Sequence, residues 1–376
     1  MRARYAFVTV ALGIAACGGE APTPQSPRSP TPVASRPPAP PPVETAKVEP
    51  PPAPKATTAD FAKQTLPAIA EAVSQHDAKK LAGLYTEDAS VISPGLDPLR
   101  SRAEIAQNAQ KFFDAIASLK MAHRRAWVTN DVVVYEWAMT GTHSGDLKGI
   151  KATEKSVGLS GVSVVWLEPN AGLIKEEHRY ADMATILSQI GASKAKARAV
   201  PTLPASIEWH FAKGTPDEDK NVELAKQLMG TLEGKKEADY LALNADDVVY
   251  DDFTMPTSLK GKDDLKKWFK TFTTAFPDAK VSVTGAWGIE DFVVVESTVT
   301  GTQKGALLGV PPSNKSVMLH AVDIGQLKDG KIARGWTYGN GTEFQSQITS
   351  QVSKAPAPKP AAATPAPQKA PQTPKK

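Results

Sequence analysis

DVVVYEWAMTGTHSGDLKGIKATEKSV, residues 131–157, decides how this chain is read, because it returns as DFVVVESTVTGTQKGALLGVPPSNKSV at residues 291–317. Matching residues stand 160 positions apart without a gap: Asp131 with Asp291, Glu136 with Glu296, Thr140-Gly141-Thr142 with Thr300-Gly301-Thr302. Gly145, Leu147, Gly149 and Lys155-Ser156-Val157 recur as well. So long an ungapped match implies one folding unit, present twice.

Working outward from the first copy, Phe61, Leu66, Ile69 and Val73 recur at helical spacing and predict a helix over 60–75. Asp77 can cap a second helix running to Tyr85. A short strand over 89–93 is stopped by Pro94-Gly95. Ser101 and Glu104 form a capping box for a third helix, whose buried side carries Ile105, Phe112, Phe113 and Ile116. The period then changes to two, predicting strands over 120–128, 132–143, 156–168 and 173–182, and a helix over 183–190 closes at Gly191.

The second copy repeats this order. Asp217 or Asp219 opens a helix carrying Val222, Leu224, Leu228 and Leu232. Helices over 235–243 and 262–276 follow, then strands over 280–287, 292–302, 315–327 and 332–340. Tyr338, Ser346, Gln347 and Ile348 mirror Tyr180, Ser188, Gln189 and Ile190, now 158 apart. Helices first and an antiparallel meander afterwards argue for an α+β fold: two tandem cone-shaped barrels, each with three helices packed in a curved antiparallel sheet. The units span 57–192 and 217–350. The linker over 193–216 holds Ile207, Trp209 and Phe211 in alternation, which predicts that it packs onto a domain.

Both ends of the chain differ in composition. Arg2 and Arg4 precede an apolar run, Tyr5 to Ile14, too short to span a bilayer as a mature helix. Ile14-Ala15-Ala16-Cys17-Gly18 looks like a lipobox, with Ile in place of the commoner Leu. Residues 1–16 are therefore expected to be a signal peptide and Cys17 the lipidated mature N-terminus. Gly18 and Gly19 favour the outer membrane. Cys17 is the only cysteine, so no intrachain disulfide can form. Residues 17–56 form a Pro-rich tether, extending by roughly 3 Å per residue where polyproline geometry holds. Residues 351–376 are a Pro/Ala/Lys-rich tail. The expected location is the bacterial cell envelope. A net charge of +4 over 376 residues, with no basic stripe interleaved with aromatics, argues against a nucleic-acid partner. The domains are expected to pair with each other or to dimerise.

Gly141-Thr142-His143-Ser144-Gly145, Leu147-Lys148-Gly149-Ile150 and Thr153-Glu154-Lys155, with Tyr180-Ala181-Asp182-Met183 and Leu187-Ser188-Gln189-Ile190-Gly191, resemble the SnoaL-like branch of the nuclear-transport-factor-2-like superfamily. The resemblance implies a cone whose last strand lines the cavity. It also implies that an Asp near that strand's end takes a proton from a carbon acid of an apolar polycyclic substrate. Asp182 matches that position; its counterpart Asn340 cannot act as a base. Neither metal nor organic cofactor is needed for such chemistry.

Alternation puts His178, Tyr180 and Asp182 on one face, as candidate catalytic residues. The matching trio is Trp336, Tyr338 and Asn340, candidate ligand-binding residues with Trp127, Trp137 and Trp287. The plainer reading makes Asp182 a helix cap and the others core residues. Glu136 and Glu296 point away from Val133, Tyr135, Trp137 and Met139, onto a solvated or paired face. No phosphate-cradling loop, zinc spacing or serine elbow occurs in the sequence. Three readings remain: a tethered module binding small apolar ligands in its cones; a cyclase, isomerase or hydrolase using Asp182 as general base; or an envelope scaffold with both cones filled.

Overall fold

Thr57 starts the first helix by exchanging caps with Asp60. The Thr57 hydroxyl accepts from the Asp60 amide at 3.2 Å, and the Asp60 carboxylate accepts from the Thr57 amide at 2.9 Å. The computed structural model describes residues 56–168 and 170–349. The signal segment, Cys17, the tether and the C-terminal tail lie outside them.

The first unit runs α1 (Thr58–Ser74), α2 (Ala78–Ala82), β1 (Tyr85–Ile92), α3 (Arg102–Ala115), β2 (Ile116–Val128), β3 (Val132–His143), β4 (Ser156–Leu167), β5 (Ile174–Ala181) and α4 (Met183–Ile190). Asp77 caps α2 and Ser101 caps α3, as their positions predict. The helix α2 ends before Tyr85, whose hydroxyl is spent inside the cone on Glu177. Then comes β6 (Glu208–Phe211), four residues of the expected linker. This strand pairs in parallel with β2, and Ile207, Trp209 and Phe211 pack against the first core. The alternation in the linker is that of a strand at a sheet edge.

The second unit runs α5 (Pro216–Gly234), α6 (Glu237–Ala242), β7 (Asn244–Asp252), β8 (Leu259–Lys260), α7 (Gly261–Ala275), β9 (Lys280–Ile289), β10 (Phe292–Thr302), β11 (Ser316–Lys328), β12 (Lys331–Tyr338) and α8 (Gly341–Thr349). Thr215, not Asp217 or Asp219, caps α5, with Pro216 in the first turn and Glu218 completing the box.

The strand orders are β1-β5-β4-β3-β2-β6 and β8-β7-β12-β11-β10-β9. The four long strands of each unit form the expected antiparallel meander. The sheets as wholes are mixed, because β1 pairs in parallel with β5 and β7 with β12. The 160-residue shift survives in the register: Glu136 stands opposite Val162, and Glu296 opposite Val322.

Three apolar cores result. Val133, Tyr135, Trp137 and Met139 point into the first cone. Val293, Val295, Phe272 and Phe276 lie in the second. The third core joins the outer faces of the two sheets: Val132, Val134, Val162 and Val164 of one meet Val294, Val322, Ile324 and Phe292 of the other. A strand buried on both faces reads as a continuous apolar run, which is why β3 opens with three valines.

Candidate functional sites: one hollow cone and a bonded seam

Tyr135, Trp137 and Met139 crowd the interior of the first cone. The Trp137 indole lies on Gly161 so closely that a Cβ there would come within 2.3 Å of the ring. Trp137 Nε1–H donates to Ser163 Oγ at 3.1 Å, and Ser163 donates to Glu177 at 2.7 Å. Tyr85 donates to Glu177 at 2.6 Å, and Arg179 adds bonds of 2.9 and 2.7 Å. Burial pushes the Glu177 carboxyl up, but Arg179 and the hydroxyl donors outweigh it and hold the group below its ordinary value. A buried carboxylate is tolerable only when satisfied in this way.

The second cone differs at the positions that fill the first. At the 160-residue shift, Tyr135 becomes Val295, Trp137 becomes Ser297, Gly161 becomes Ala321 and Ser163 becomes Asp323. At the 158-residue shift, Glu177 becomes Gly335, over which Tyr250 folds. Together these changes remove an indole and the Tyr135 phenol and move a carboxylate from β5 to β11. A cavity of about 210 Å³ is left, walled by Leu228, Met229, Phe272, Val295 and Leu319. Asp252 and Asp323 bring carboxyls to that wall. Loss of bulk water pushes Asp323 up to about 6, with the Thr337 hydroxyl, 2.6 Å away, opposing and Asp252 reinforcing the shift. Burial raises Asp252 too, against hydrogen bonds from Thr254 and the charge of Arg198. On the rim, His320 Nδ1 lies 2.6 Å from Glu343, and this bond raises the imidazole.

The residues expected to be catalytic lie elsewhere. His178 and Tyr180 do share a face, but that face meets the other sheet; Glu177 and Arg179 take the concave side of β5. Alternation separates two faces without saying which is concave, and here both are buried. His178 lies 2.6 Å from Glu296 and 2.8 Å from Glu176, and Tyr180 donates to Glu296 at 2.6 Å. Symmetrically, Tyr338 donates to Glu136, which Arg125 clasps at 2.5 and 2.8 Å. The repeated glutamates, Glu136 and Glu296, are therefore the polar fastenings of the seam.

Asp182 accepts from the amides of Ala184 (3.2 Å), Thr185 (3.1 Å) and Gly341 (2.9 Å), and from the Thr185 hydroxyl (2.8 Å). Burial raises its pKa against those four bonds. Asn340 answers it: its Oδ1 accepts from the Met183 amide at 3.3 Å, and its Nδ2 donates to the Pro94 carbonyl at 2.7 Å. Each residue thus caps its own final helix and also binds the first turn of the other unit's.

Among the expected ligand-binding residues, Asn340 reaches the second cavity's wall. Trp137 fills the first cone. Trp127 is fully buried in the seam beside His210, Trp287 meets Trp166 there, and Trp336 lies 3.7 Å beneath the Arg125 guanidinium. Among the described residues, no group of three or more His, Cys, Asp or Glu is placed to hold a metal ion. Asp323 and Asp252 are not shared between the copies, so the repeat does not mark them. The available signal was an unshared one: an acid in the apolar phase of β11, where the first copy has Ser163.

Comparison with known proteins agrees with this architecture. The family described as SnoaL-like polyketide cyclase matches residues 63–190 and 224–348. No curated protein matches the chain in sequence. Among solved structures, a protein of Jannaschia sp. CCS1 described as a SnoaL-like polyketide cyclase is 23% identical, with 36% of this chain and 96% of that one covered and a TM-score of 0.34. IdmH of Streptomyces antibioticus is 23% identical over 34% of this chain and 97% of its own, with a TM-score of 0.31. AclR of Streptomyces galilaeus is 22% identical over 35% and 96%, with a TM-score of 0.32. With both halves of its repeat matched, and those halves making up most of its length, this chain belongs to the SnoaL-like polyketide cyclase family.

Proposed function

We propose that this protein binds one small apolar molecule, about the size of a single ring, in its second cone, while the first cone is a filled scaffold half. The observation that carries this is the exchange of Trp137 for Ser297 at matched positions of otherwise similar barrels. The polycyclic substrate that the resemblance implies is too large. An apolar cavity of about 150 Å³ takes a benzene, and the one here is about 210 Å³.

Calorimetric titration of the full chain with toluene and indole tests the reading. Uptake of one equivalent is expected, and Ser297→Trp should weaken it at least tenfold by refilling the cone as Trp137 fills the other. Uptake by neither chain, or equal uptake by both, would overturn it. The neighbouring Asp252 and Asp323 favour a second reading, proton transfer at a carbon acid held in the same cavity. Asp323→Asn separates the two: ligand affinity within a factor of two, with loss of deuterium exchange at the α-carbon of a monocyclic ketone, selects catalysis.

The tether belongs to the same proposal. The positive start at Arg2 and Arg4, the short apolar run and Cys17 support a lipid anchor in the bacterial envelope. Metabolic labelling with an alkynyl fatty acid should mark the wild-type chain and leave Cys17→Ser unmarked.

A further inference from the structure

We propose that the seam between the two sheets carries a second site, for a small oxyanion of the phosphate or carboxylate kind. A cleft of about 730 Å³ opens at one end of the seam, and Arg124, Arg125, Arg198 and Arg334 all line it. They arrive from separate parts of the chain. Arg124 is the extra residue of a bulge in β2, where pairing passes from His123 opposite Trp137 to Arg125 opposite Glu136. A bulge re-aims the side chain it carries. The same bulge occurs in β9, but there it carries Thr284, whose hydroxyl turns back to the Glu296 carbonyl at 3.1 Å. Arg198 comes from the segment between the units. Arg334 stands on β12 where the first unit has Glu176.

Three of the four acids around the cleft are already engaged. Glu136 is clasped by Arg125 on both oxygens. Asp182 is saturated by its four donors. Glu208 lies 3.1 Å from His210 Nε2 without a hydrogen bond and stays largely exposed. Asp251 is shared, 3.0 Å from Arg198 and 3.3 Å from Arg334. Arg198 is further fixed by the carbonyls of Asp252 and Met255 at 2.7 and 2.9 Å. Arg124 meets only the Thr202 carbonyl, at 3.5 Å, among the described residues. Arg124 and Arg334 therefore bring guanidinium forks to the cleft with donors to spare. Planar forks match carboxylate and phosphate oxygens.

The opposite end of the seam shows that packing does not require this. There the positions equivalent to Arg124, Arg125 and Arg334 hold Thr284, Gly285 and Glu176, and the two sheets still pack together. Arg124 has a backbone carbonyl but no carboxylate among its bonded partners in the described residues, and an anion in the cleft would supply that acceptor.

The test is calorimetric titration of the full chain with inorganic phosphate and, separately, with citrate, at low ionic strength. One of the two is expected to bind saturably at one per chain, which assigns the phosphate or carboxylate source. Arg124→Gln with Arg334→Gln should weaken that binding at least tenfold. Arg124→Lys with Arg334→Lys should weaken it less, and the remote Arg100→Gln should leave it unchanged. Thermal unfolding of each variant checks that it is folded. Ser297→Trp should leave anion binding intact, so failure of the cone reading and failure of this one are distinguishable. Absence of binding by both anions, or binding that the double glutamine variant retains in full, would overturn the proposal.

Discussion

Replacing Glu136 with alanine is expected to lower the stability of the chain by about 3–5 kcal/mol, the usual cost of stranding one member of a buried ion pair. Glu136 is 2% exposed and Arg125 is 7% exposed. A guanidinium cannot shed its proton, so the charge left behind stays a charge. The Tyr338 hydroxyl would lose its acceptor in the same change. At the other end of the seam, Glu296→Ala should cost less, because its cationic partner is an imidazole that can become neutral.

The contrast is sharpened by pH. Burial pulls the His178 imidazolium down, but the hydrogen bonds and charges of Glu296 and Glu176 outweigh it and hold its pKa above the ordinary 6.5. The bound proton therefore stabilises the fold in full below that ordinary value, and the contribution is lost as pH rises through the folded one. His320, held by Glu343, acts in the same direction. Asp323, at about 6, changes state largely below this window. Urea midpoints should fall between pH 6.5 and 9 in the wild type and fall less in His178→Asn. The Glu136→Ala penalty should persist across that range. A Glu136→Ala stability within 1 kcal/mol of wild type would mean that the Arg125–Glu136 pair does not fasten this end of the seam.

Trp137→Ala should cost about 3–5 kcal/mol as well, through lost burial and the void left behind. Gly161 supplies no Cβ to fill the gap, and Ser163 loses a donor. The variant should also gain a binding function. With the indole gone, the first cone becomes a second apolar chamber, and indole uptake should rise from one equivalent to two. Denaturation in the presence of indole should then recover part of the lost stability, since a ligand taken up only by the folded state favours it. An unchanged stoichiometry would show that Tyr135 and Met139 collapse into the space.

Much of this architecture was legible in the chain, for local reasons. The repeat, the caps at Asp77 and Ser101 and the four-strand meander follow from spacing and turn chemistry alone. Three features were not legible. The concave face of β5 could not be chosen, because Glu177 and His178 are both plausible inward residues until their partners Tyr85 and Glu296, 92 and 118 residues away, are in place. The strand β6 hid in a linker because its partner β2 lies some 80 residues upstream. The hollow in the second cone was not legible because a repeat is marked by what its copies share, whereas a cavity is made by what one of them lacks.

That the halves are joined covalently has one consequence for what they can become. In a closed two-fold dimer of identical chains, every side chain appears twice. Trp137 would then plug both chambers, and Arg125 would arm both ends of the contact. Fused into one polypeptide, the halves escape that constraint: one can be specialised as ballast and the other as receptacle, and no exchange of subunits can scramble the match.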